Sequence, residues 1–218
     1  MTDDSGHNDG KRLTAHDPSR RRFLKGVGIA GAGAAIADKL WVDADAKDAG
    51  AAGGGGLSGT IDVSLLINGQ KRKVQVEPRT TLLNTMRNHL DPAVTGPKLV
   101  CDVGTCGSCT VLLDEKPVYS CLVLAVDAVG KKITTVEGLG SAASMNAVQT
   151  AFVEKDALMC GFCTPGFVTT ISAYLKKNPN PTIEEVREAC KGNFCRCGTY
   201  PRVFEAALAA AKSGVKGG

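Results

Sequence analysis

The chain has 218 residues, with 26 lysines and arginines against 22 aspartates and glutamates, and a net charge of +4 at neutral pH. This mild charge is not gathered into a basic stripe with interleaved aromatic residues, so no nucleic-acid binding is indicated. The length is enough for one compact unit or two small domains, and the nine cysteines are the unusual feature of the composition.

The first 46 residues resemble an export signal. Residues 19–25 include three consecutive arginines, residues 26–37 form a short Gly/Ala-rich apolar run, and a small-x-small pattern follows at residues 44–46. This order is typical of a twin-arginine signal peptide, although a basic amphipathic surface segment is the alternative. The apolar run is about half of the roughly 20 residues that a spanning helix needs, so no stable membrane span is predicted. We expect residues 1–46 to direct the folded protein to the periplasm.

A linker and a β-hairpin follow. Residues 47–56 contain four consecutive glycines and are predicted to be a flexible linker. From Thr60 onward, apolar and polar residues alternate as in a half-buried strand. Asn68-Gly69 is a typical hairpin turn, and residues 71–76 are predicted to form the return strand.

A group of four cysteines follows the hairpin. Its members have C-x4-C-x2-C spacing closed by one later cysteine: Cys101, Cys106, Cys109 and Cys121. This is the plant-type spacing for a [2Fe–2S] cluster, which needs four converging thiolates. Gly104 and Gly107 suit a loop that needs positive φ angles and brings backbone amides close to the sulfurs.

The elements around this loop complete a β-grasp pattern. Thr80 or Thr81 can cap a helix that ends at Pro92, before the loop. After the loop, a turn is predicted at residues 114–117. Short strands are predicted at residues 110–113, 118–121, 122–126 and 132–136. We therefore predict a ferredoxin-like domain over residues 57–138.

In the remainder, residues 139–218, apolar residues recur at the spacing of amphipathic helices. Thr164 can cap a helix with Pro165 at its first position, and Thr182 with Glu185 resembles a capping box. Helices are predicted at residues 144–157, 164–177, 182–190 and 201–212. We expect a small helical bundle.

A second group of four cysteines lies in this helical part, in a C-x2-C pair and a C-x-C pair: Cys160, Cys163, Cys195 and Cys197. We expect them to hold a second cluster between helices. Thr110, Val111 and Phe162, which lie beside the cysteines, are predicted to be packing residues.

Taken together, residues 57–213 resemble the iron–sulfur subunit, or the N-terminal iron–sulfur part, of molybdenum hydroxylases of the xanthine dehydrogenase and aldehyde oxidoreductase type. The matching segments are C-D-x-G-x-C-G-x-C-T-V at 101–111, S-C at 120–121, V-E-G-L at 136–139, V-Q-x-A-F at 148–152, C-G-F-C-T-P-G at 160–166 and G-N-F-C-R-C at 192–197. The resemblance implies an α+β fold, a β-grasp plant-type [2Fe–2S] ferredoxin domain followed by a small helical-bundle [2Fe–2S] domain.

The resemblance also implies a role. The chain would be an electron-transfer subunit with two [2Fe–2S] clusters on the eight cysteines, no catalytic residue and no substrate site. A large partner subunit would hold a molybdenum–pterin cofactor and oxidise an aldehyde or an N-heterocycle. Electrons would reach the helical-domain cluster first, then the ferredoxin-domain cluster, and then an acceptor such as a flavin subunit or a cytochrome.

Two positions depart from the family pattern. Met159 stands where the family commonly has a glutamine that contacts the molybdenum cofactor, so that contact is not expected here. Gly198-Thr199 stands where the family often has Thr-Gly, and this variant resembles two-component enzymes that lack a flavin subunit.

Other interpretations of the cysteines stay open at this point. The chain could be a free two-cluster ferredoxin without a catalytic partner, or a binding module stabilised by zinc or disulfides. Cys190, the ninth cysteine, ends a predicted helix and is expected to be a buried structural thiol. Arg196, between two cysteines, is expected to form a salt bridge or to compensate cluster charge.

Overall fold

The computed structural model describes residues 59–214. The predicted signal peptide at residues 1–46 and the predicted linker at residues 47–56 lie outside the described residues. A five-stranded sheet has the order β2-β1-β5-β3-β4. Its strands are β1 (Ile61–Ile67), β2 (Gln70–Val76), β3 (Thr110–Leu113), β4 (Lys116–Tyr119) and β5 (Lys132–Thr134).

The predicted hairpin is confirmed. β1 pairs antiparallel with β2 and parallel with β5. Asn68 and Gly69 turn the chain with φ angles of 50° and 79°, as a two-residue hairpin turn requires. Alternate residues of β1 are buried, and Leu65 lies in the core with Ile133 of β5. Burial on one face of the strand therefore sets its register.

The helix before the cysteine loop is capped by Thr81, one of the two residues predicted. Its α-helical part is α1 (Leu82–Asn84), and it continues as a π-helical turn at Thr85–His89. Thr81 Oγ1 accepts a hydrogen bond from the Asn84 N–H at 3.2 Å. Leu82 and Met86 point into the sheet core.

The segment after β3 differs from the prediction in two ways. Asp114 and Glu115 alone make the turn, both with positive φ, so Pro117 falls inside β4, an edge strand that tolerates proline. The strand predicted at residues 122–126 is wrong. Its backbone instead bonds to the start of α1, with Leu82 N–H donating to Val123 O at 2.7 Å.

Four helices form the second part: α2 (Ala147–Glu154), α3 (Thr164–Lys177), α4 (Ile183–Ala189) and α5 (Tyr200–Lys212). Capping boxes begin α2, through Asn146, and α4, through Thr182 as predicted. Thr164 is not the cap of α3 but its first residue, and Cys163 occupies the N-cap position.

The helices enclose their own apolar core, which includes Phe167, Ile171 and Val203. Helix α3 also packs against β3 and β4, which places the start of this helix beside the first cysteine loop. Among residues 59–214, no helix has the length and apolar character that crossing a membrane requires.

Candidate metal centres

The first thiol set, Cys101, Cys106, Cys109 and Cys121, comes together as two pairs. The Sγ atoms of Cys109 and Cys121 lie 3.4 Å apart, and the Cys106 side chain lies close enough to Cys101 to lower its pKa. Strand β3 begins directly after Cys109, and β4 ends just before Cys121, so the sheet positions this pair. Cys101 is half-buried and the other three are buried.

The backbone of the loop turns towards the first set. Gly104 and Gly107 have φ angles of 72° and 70°, as predicted for a loop that wraps a cluster. The Thr105 N–H points at Cys101 Sγ, 3.4 Å away. Burial tends to raise the pKa of Cys101, but hydrogen bonds from Thr105 and from the backbone at Val103 outweigh it and lower the pKa to about 6. The loop therefore favours a thiolate at Cys101.

Cys121, in the other pair of this set, has the opposite tendency. Burial, followed by the neighbouring Cys109 thiol, raises the pKa of Cys121 to about 12. A buried thiolate needs a positive partner, and bound iron is such a partner. The environment of Cys121 thus suits a thiol that ionises on binding metal.

The second thiol set, Cys160, Cys163, Cys195 and Cys197, also forms two pairs. The thiol of Cys163 neighbours that of Cys195, and the thiol of Cys160 neighbours that of Cys197, closely enough to affect each other's pKa. Each pair joins the loop before α3 to the loop before α5. Cys195 is buried and Cys163 half-buried, whereas Cys160 and Cys197 are exposed.

Two helices begin at the second set. Cys163 is the N-cap of α3 and Thr199 is the N-cap of α5, and neither side chain caps its helix. The unpaired N–H groups and the positive end of each helix dipole therefore lie beside the thiols. Burial tends to raise the pKa of Cys195, but hydrogen bonds from the Thr199 side chain and backbone lower it to about 7. Burial and the contact with Cys195 raise the pKa of Cys163 to about 12.

The donor sets fit [2Fe–2S] clusters. Within residues 59–214, no three His, Cys, Asp or Glu side chains surround a single metal-ion position. The thiols are instead paired, which suits two irons that each take two cysteines better than one tetrahedral zinc ion. Among the same residues, Thr164 Oγ1 is the one buried side-chain nitrogen or oxygen without a hydrogen-bond partner. It follows Cys163 directly, so a donor is present beside the second set.

The two cysteine loops touch through residues 192–194, a contact that sequence reasoning missed. Gly192 O accepts a hydrogen bond from the Tyr119 hydroxyl at 2.9 Å. Asn193 Nδ2 donates to Gly107 O at 3.1 Å, and the N–H of Phe194 donates to the carbonyl of Cys106 at 2.9 Å. Because Cys195 follows Phe194, one hydrogen bond links the backbones of the two sets.

Glycines make this contact close. A Cβ atom on Gly166, in the first turn of α3, would overlap the carbonyl oxygen of Gly107, and one on Gly192 would overlap the Tyr119 hydroxyl. A glycine inside a helix is unfavourable unless it has a packing role. Gly166 was therefore a sequence signal for close packing at the start of α3, although a glycine alone does not identify the loop that packs there.

Large apolar side chains are exposed around both sets. Beside the first set they are Leu99, Val100, Val103 and Leu122, and beside the second Leu158, Met159, Phe162 and Phe194. Thr110 and Val111 are buried as predicted, but the prediction for Phe162 is wrong, since it is 57% exposed. Phe162 lies in the loop between Cys160 and Cys163, and its side chain faces outward.

Three further predicted residues lie apart from the thiol sets or at their edge. Cys190 is buried in the helical core, and burial raises its pKa to about 12, as expected of a structural thiol. Arg196 is exposed, and none of the ion pairs between described residues includes it. Met159 is also exposed and lines a cavity of about 320 Å³ beside Thr199.

Two families of known domains match the chain in succession. Residues 65–133 match the 2Fe-2S iron-sulfur cluster binding domain, and residues 135–208 match the [2Fe-2S] binding domain. The chain is therefore an iron–sulfur protein with two [2Fe–2S] domains, and the predicted cofactors are confirmed. The assignment of individual cysteines to each cluster stays a prediction that the pairing supports.

Similar proteins are components of larger enzymes. The nicotine 6-hydroxylase small subunit of Paenarthrobacter nicotinovorans is 45% identical over 151 residues, which cover 69% of this chain and 90% of that one. The nicotinate dehydrogenase small FeS subunit of Eubacterium barkeri is 40% identical over 146 residues, which cover 67% of this chain and 92% of that one.

Solved structures of similar proteins also belong to larger enzymes. Quinoline 2-oxidoreductase from Pseudomonas putida 86 contains a chain that is 44% identical, with a TM-score of 0.67, over 72% of this chain and 96% of that one. The aldehyde oxidoreductase of Desulfovibrio desulfuricans is 35% identical with a TM-score of 0.65, over 70% of this chain and 17% of that one. This chain belongs to the family of [2Fe–2S] iron–sulfur subunits of molybdenum hydroxylases, and the predicted α+β fold is confirmed.

Proposed function

We propose that this chain is the electron-transfer subunit of a molybdenum hydroxylase. It passes electrons from a large molybdenum–pterin subunit, which oxidises an aldehyde or an N-heterocycle, through two [2Fe–2S] clusters to an external acceptor. The proposal rests on two sets of paired thiols in a chain whose relatives are small subunits of such enzymes. When bound, each cluster supplies one-electron redox chemistry. Residues 59–214 serve electron transfer, without a catalytic residue or a substrate site of their own.

The names of the relatives favour an N-heterocycle over an aldehyde. Nicotine, nicotinate and quinoline, which appear in three of these names, are all N-heterocycles. The substrate pocket belongs to the partner subunit, so residues of this chain do not select the substrate.

The face around Cys160 and Cys197 is the site where the large subunit docks. Both thiols are exposed, and Met159 and Phe162 beside them are 67% and 57% exposed. Adjacent exposed apolar side chains of this size mark protein interfaces. Docking here would cover these thiols and bring the second set next to the partner's cofactor.

The face around Cys101 is where the acceptor binds. Val103 and Leu122 are 64% and 63% exposed there, and Cys101 is the most accessible thiol of its set. The acceptor is a flavin subunit or a cytochrome. The Gly198-Thr199 variant favours an enzyme without a flavin subunit, and therefore a cytochrome or another one-electron protein.

The order of the two sets can be tested in the assembled complex with Cys109→Ser. Substrate should still reduce the helical-domain site, detected by electron paramagnetic resonance, whereas transfer to the external acceptor should fail. Persistent turnover with the acceptor, while the helical-domain site stays oxidised, would show that the proposed order is wrong.

The same preparation distinguishes the alternatives. A free two-cluster ferredoxin would purify without a large molybdenum-containing subunit. A zinc- or disulfide-stabilised module would lack iron and visible absorption. We expect co-purification of a molybdenum subunit together with about four irons per chain.

We also propose export to the periplasm by the twin-arginine route. The support is the sequence at residues 19–25, followed by the apolar run and the small-x-small pattern. This route moves folded proteins, as a protein with cofactors inserted in the cytoplasm requires. Changing Arg20 and Arg21 together to Lys should leave the protein in the cytoplasm, and normal periplasmic activity in that double variant would contradict the proposal.

A further inference from the structure

Thr199 occupies a capping position without capping. It is the N-cap residue of α5, where a threonine hydroxyl usually accepts a hydrogen bond from a backbone N–H of the first helical turn. Here the side chain makes no such bond. Thr199 Oγ1 lies instead 3.1 Å from Cys195 Sγ, and both residues are buried, at 7% and 4% exposure.

The direction of this bond follows from the chemistry of the site. A cysteine sulfur that binds iron is a thiolate and has no proton to donate. The Thr199 hydroxyl must therefore be the donor. Bonds of this kind, with one charged partner, are about twice as strong as bonds between neutral groups.

The neighbouring residue holds Cys195 from the backbone side. Tyr200 Oη accepts a hydrogen bond from the Cys195 N–H at 2.8 Å, and the Tyr200 ring packs edge-on against Phe167 at 6.0 Å between centroids. Cys195 is thus fixed by two consecutive residues at the start of α5. The Cys195 backbone is therefore anchored to a ring that packs on the core of the bundle.

We propose that Thr199 is a positioning residue that raises the reduction potential of the helical-domain cluster. Reduction adds one electron and one negative charge to the site, with no bond made or broken. A hydroxyl that donates to Cys195 Sγ stabilises the more negative, reduced form more than the oxidised form. A higher potential would make it easier for this cluster to accept electrons from the partner subunit, and this consequence rests on the proposed function. The effect of Thr199 on the potential itself is independent of the proposed function.

The order Gly198-Thr199, in place of the Thr-Gly order common in the family, places a hydroxyl beside Cys195. Gly198 has a φ of 79°, a left-handed conformation that glycine adopts easily, and this turn presents the next residue to the thiols. A glycine in place of Thr199 would have no hydroxyl to donate. The order of these two residues therefore determines whether the buried sulfur receives this bond.

The test compares Thr199→Val, which keeps the shape and removes the hydroxyl, with Thr199→Ser, which keeps the hydroxyl. The matched control is Thr169→Val, since the buried Thr169 hydroxyl bonds to Pro165 O at 2.8 Å and to no sulfur. Midpoint potentials of both clusters are measured in the purified holoprotein by redox titration followed by electron paramagnetic resonance. The ferredoxin-domain cluster is the internal reference.

We expect Thr199→Val to lower the potential of the helical-domain cluster, so that its reduced-to-oxidised ratio at a fixed poise falls roughly three- to tenfold. Thr199→Ser and Thr169→Val should leave it near the wild-type value. An unchanged potential in Thr199→Val, or an equal change in Thr169→Val, would overturn the proposal. If Thr199→Val fails to assemble, Thr199→Ala replaces it, and equal potentials in the alanine and serine variants would overturn the proposal as well. Because no substrate, partner or acceptor enters the titration, a failure of the proposed function would not alter this result.

Discussion

The two thiol sets gather four cysteines in different ways. The first takes three from one continuous loop, residues 101–109, whose backbone is turned by Gly104 and Gly107 at positive φ. The second takes two from each of two loops that are distant in sequence and that both lead directly into helices. The first set therefore depends on local backbone conformation, and the second on how the helices pack.

The two sets also differ in the groups that stabilise negative charge on their sulfurs. The first set is stabilised by loop amides such as the Thr105 N–H. The second lies at the start of two helices, where unpaired N–H groups and helix dipoles favour negative charge. Since cluster potentials depend on such surroundings, the two clusters should differ in potential and spectrum.

The largest expected effect separates the two sets by single cysteine changes. Cys109→Ser should remove one of two distinct paramagnetic signals and Cys163→Ser the other, because each removes one of four ligands. The buried Cys190, which belongs to neither set, offers the control Cys190→Ala, which should keep both signals and about four irons per chain. Iron and sulfide analysis checks the count, and about two irons in the wild-type protein would refute the two-cluster assignment.

A smaller effect tests the contact between the sets. Alanine in place of glycine inside a helix usually stabilises by about 1 kcal/mol. Gly166→Ala should instead destabilise by about 1–3 kcal/mol, because its Cβ would overlap Gly107 O and force the loops apart. Thermal unfolding measures the change.

Gly130→Ala is the control for this substitution. Gly130 has a φ of 78°, and no atom lies within 4 Å of the place that a Cβ would take, so alanine there should lower stability by about 1 kcal/mol through backbone strain alone. Both cluster spectra should be unchanged in that variant. A stabilising Gly166→Ala would mean that the loops do not pack as described.

The hydrogen bond between Tyr119 and Gly192 gives the next effect. Tyr119→Phe keeps the ring, which packs beside Cys109 and Cys121, and removes the hydroxyl that bonds to Gly192 O. We expect a loss of about 1–2 kcal/mol and an altered magnetic interaction between the two reduced clusters. Tyr174→Phe removes a hydroxyl bonded to Asn178, far along α3, and should leave that interaction unchanged. If the two variants gave equal spectra, the Tyr119 hydroxyl would have no effect on the magnetic interaction between the clusters.

The same contrast explains what the sequence could predict. The first set and the β1–β2 hairpin follow from local patterns, namely cysteine spacing and the Asn68-Gly69 turn, so both could be recognised directly. The bond between Asn193 and Gly107 joins residues 86 positions apart, and no local pattern encodes it. The strand predicted at residues 122–126 failed for the same reason, because its backbone partners lie at the start of α1. The outward direction of Phe162 depended on the loop conformation, which spacing alone does not determine.

The smallest expected effect uses two matched helix caps. Thr81 caps the helix before the first cysteine loop, and Thr182 caps the helix before Cys195. Replacing either by alanine should lower stability by about 0.5–1 kcal/mol, because an orphan backbone N–H loses its partner.

The two cap variants should differ in which cluster they loosen. If the first set depends on its own loop and the second on the helical bundle, Thr81→Ala should speed loss of the ferredoxin-domain signal on mild warming with a chelator. Thr182→Ala should speed loss of the helical-domain signal, since helix α4 leads into the loop that contains Cys195. The rates are followed by electron paramagnetic resonance of samples reduced at intervals, with the unaffected cluster as the internal reference. If both variants released the same cluster first, the two sets would share one source of stability, and the contact through residues 192–194 would be that source.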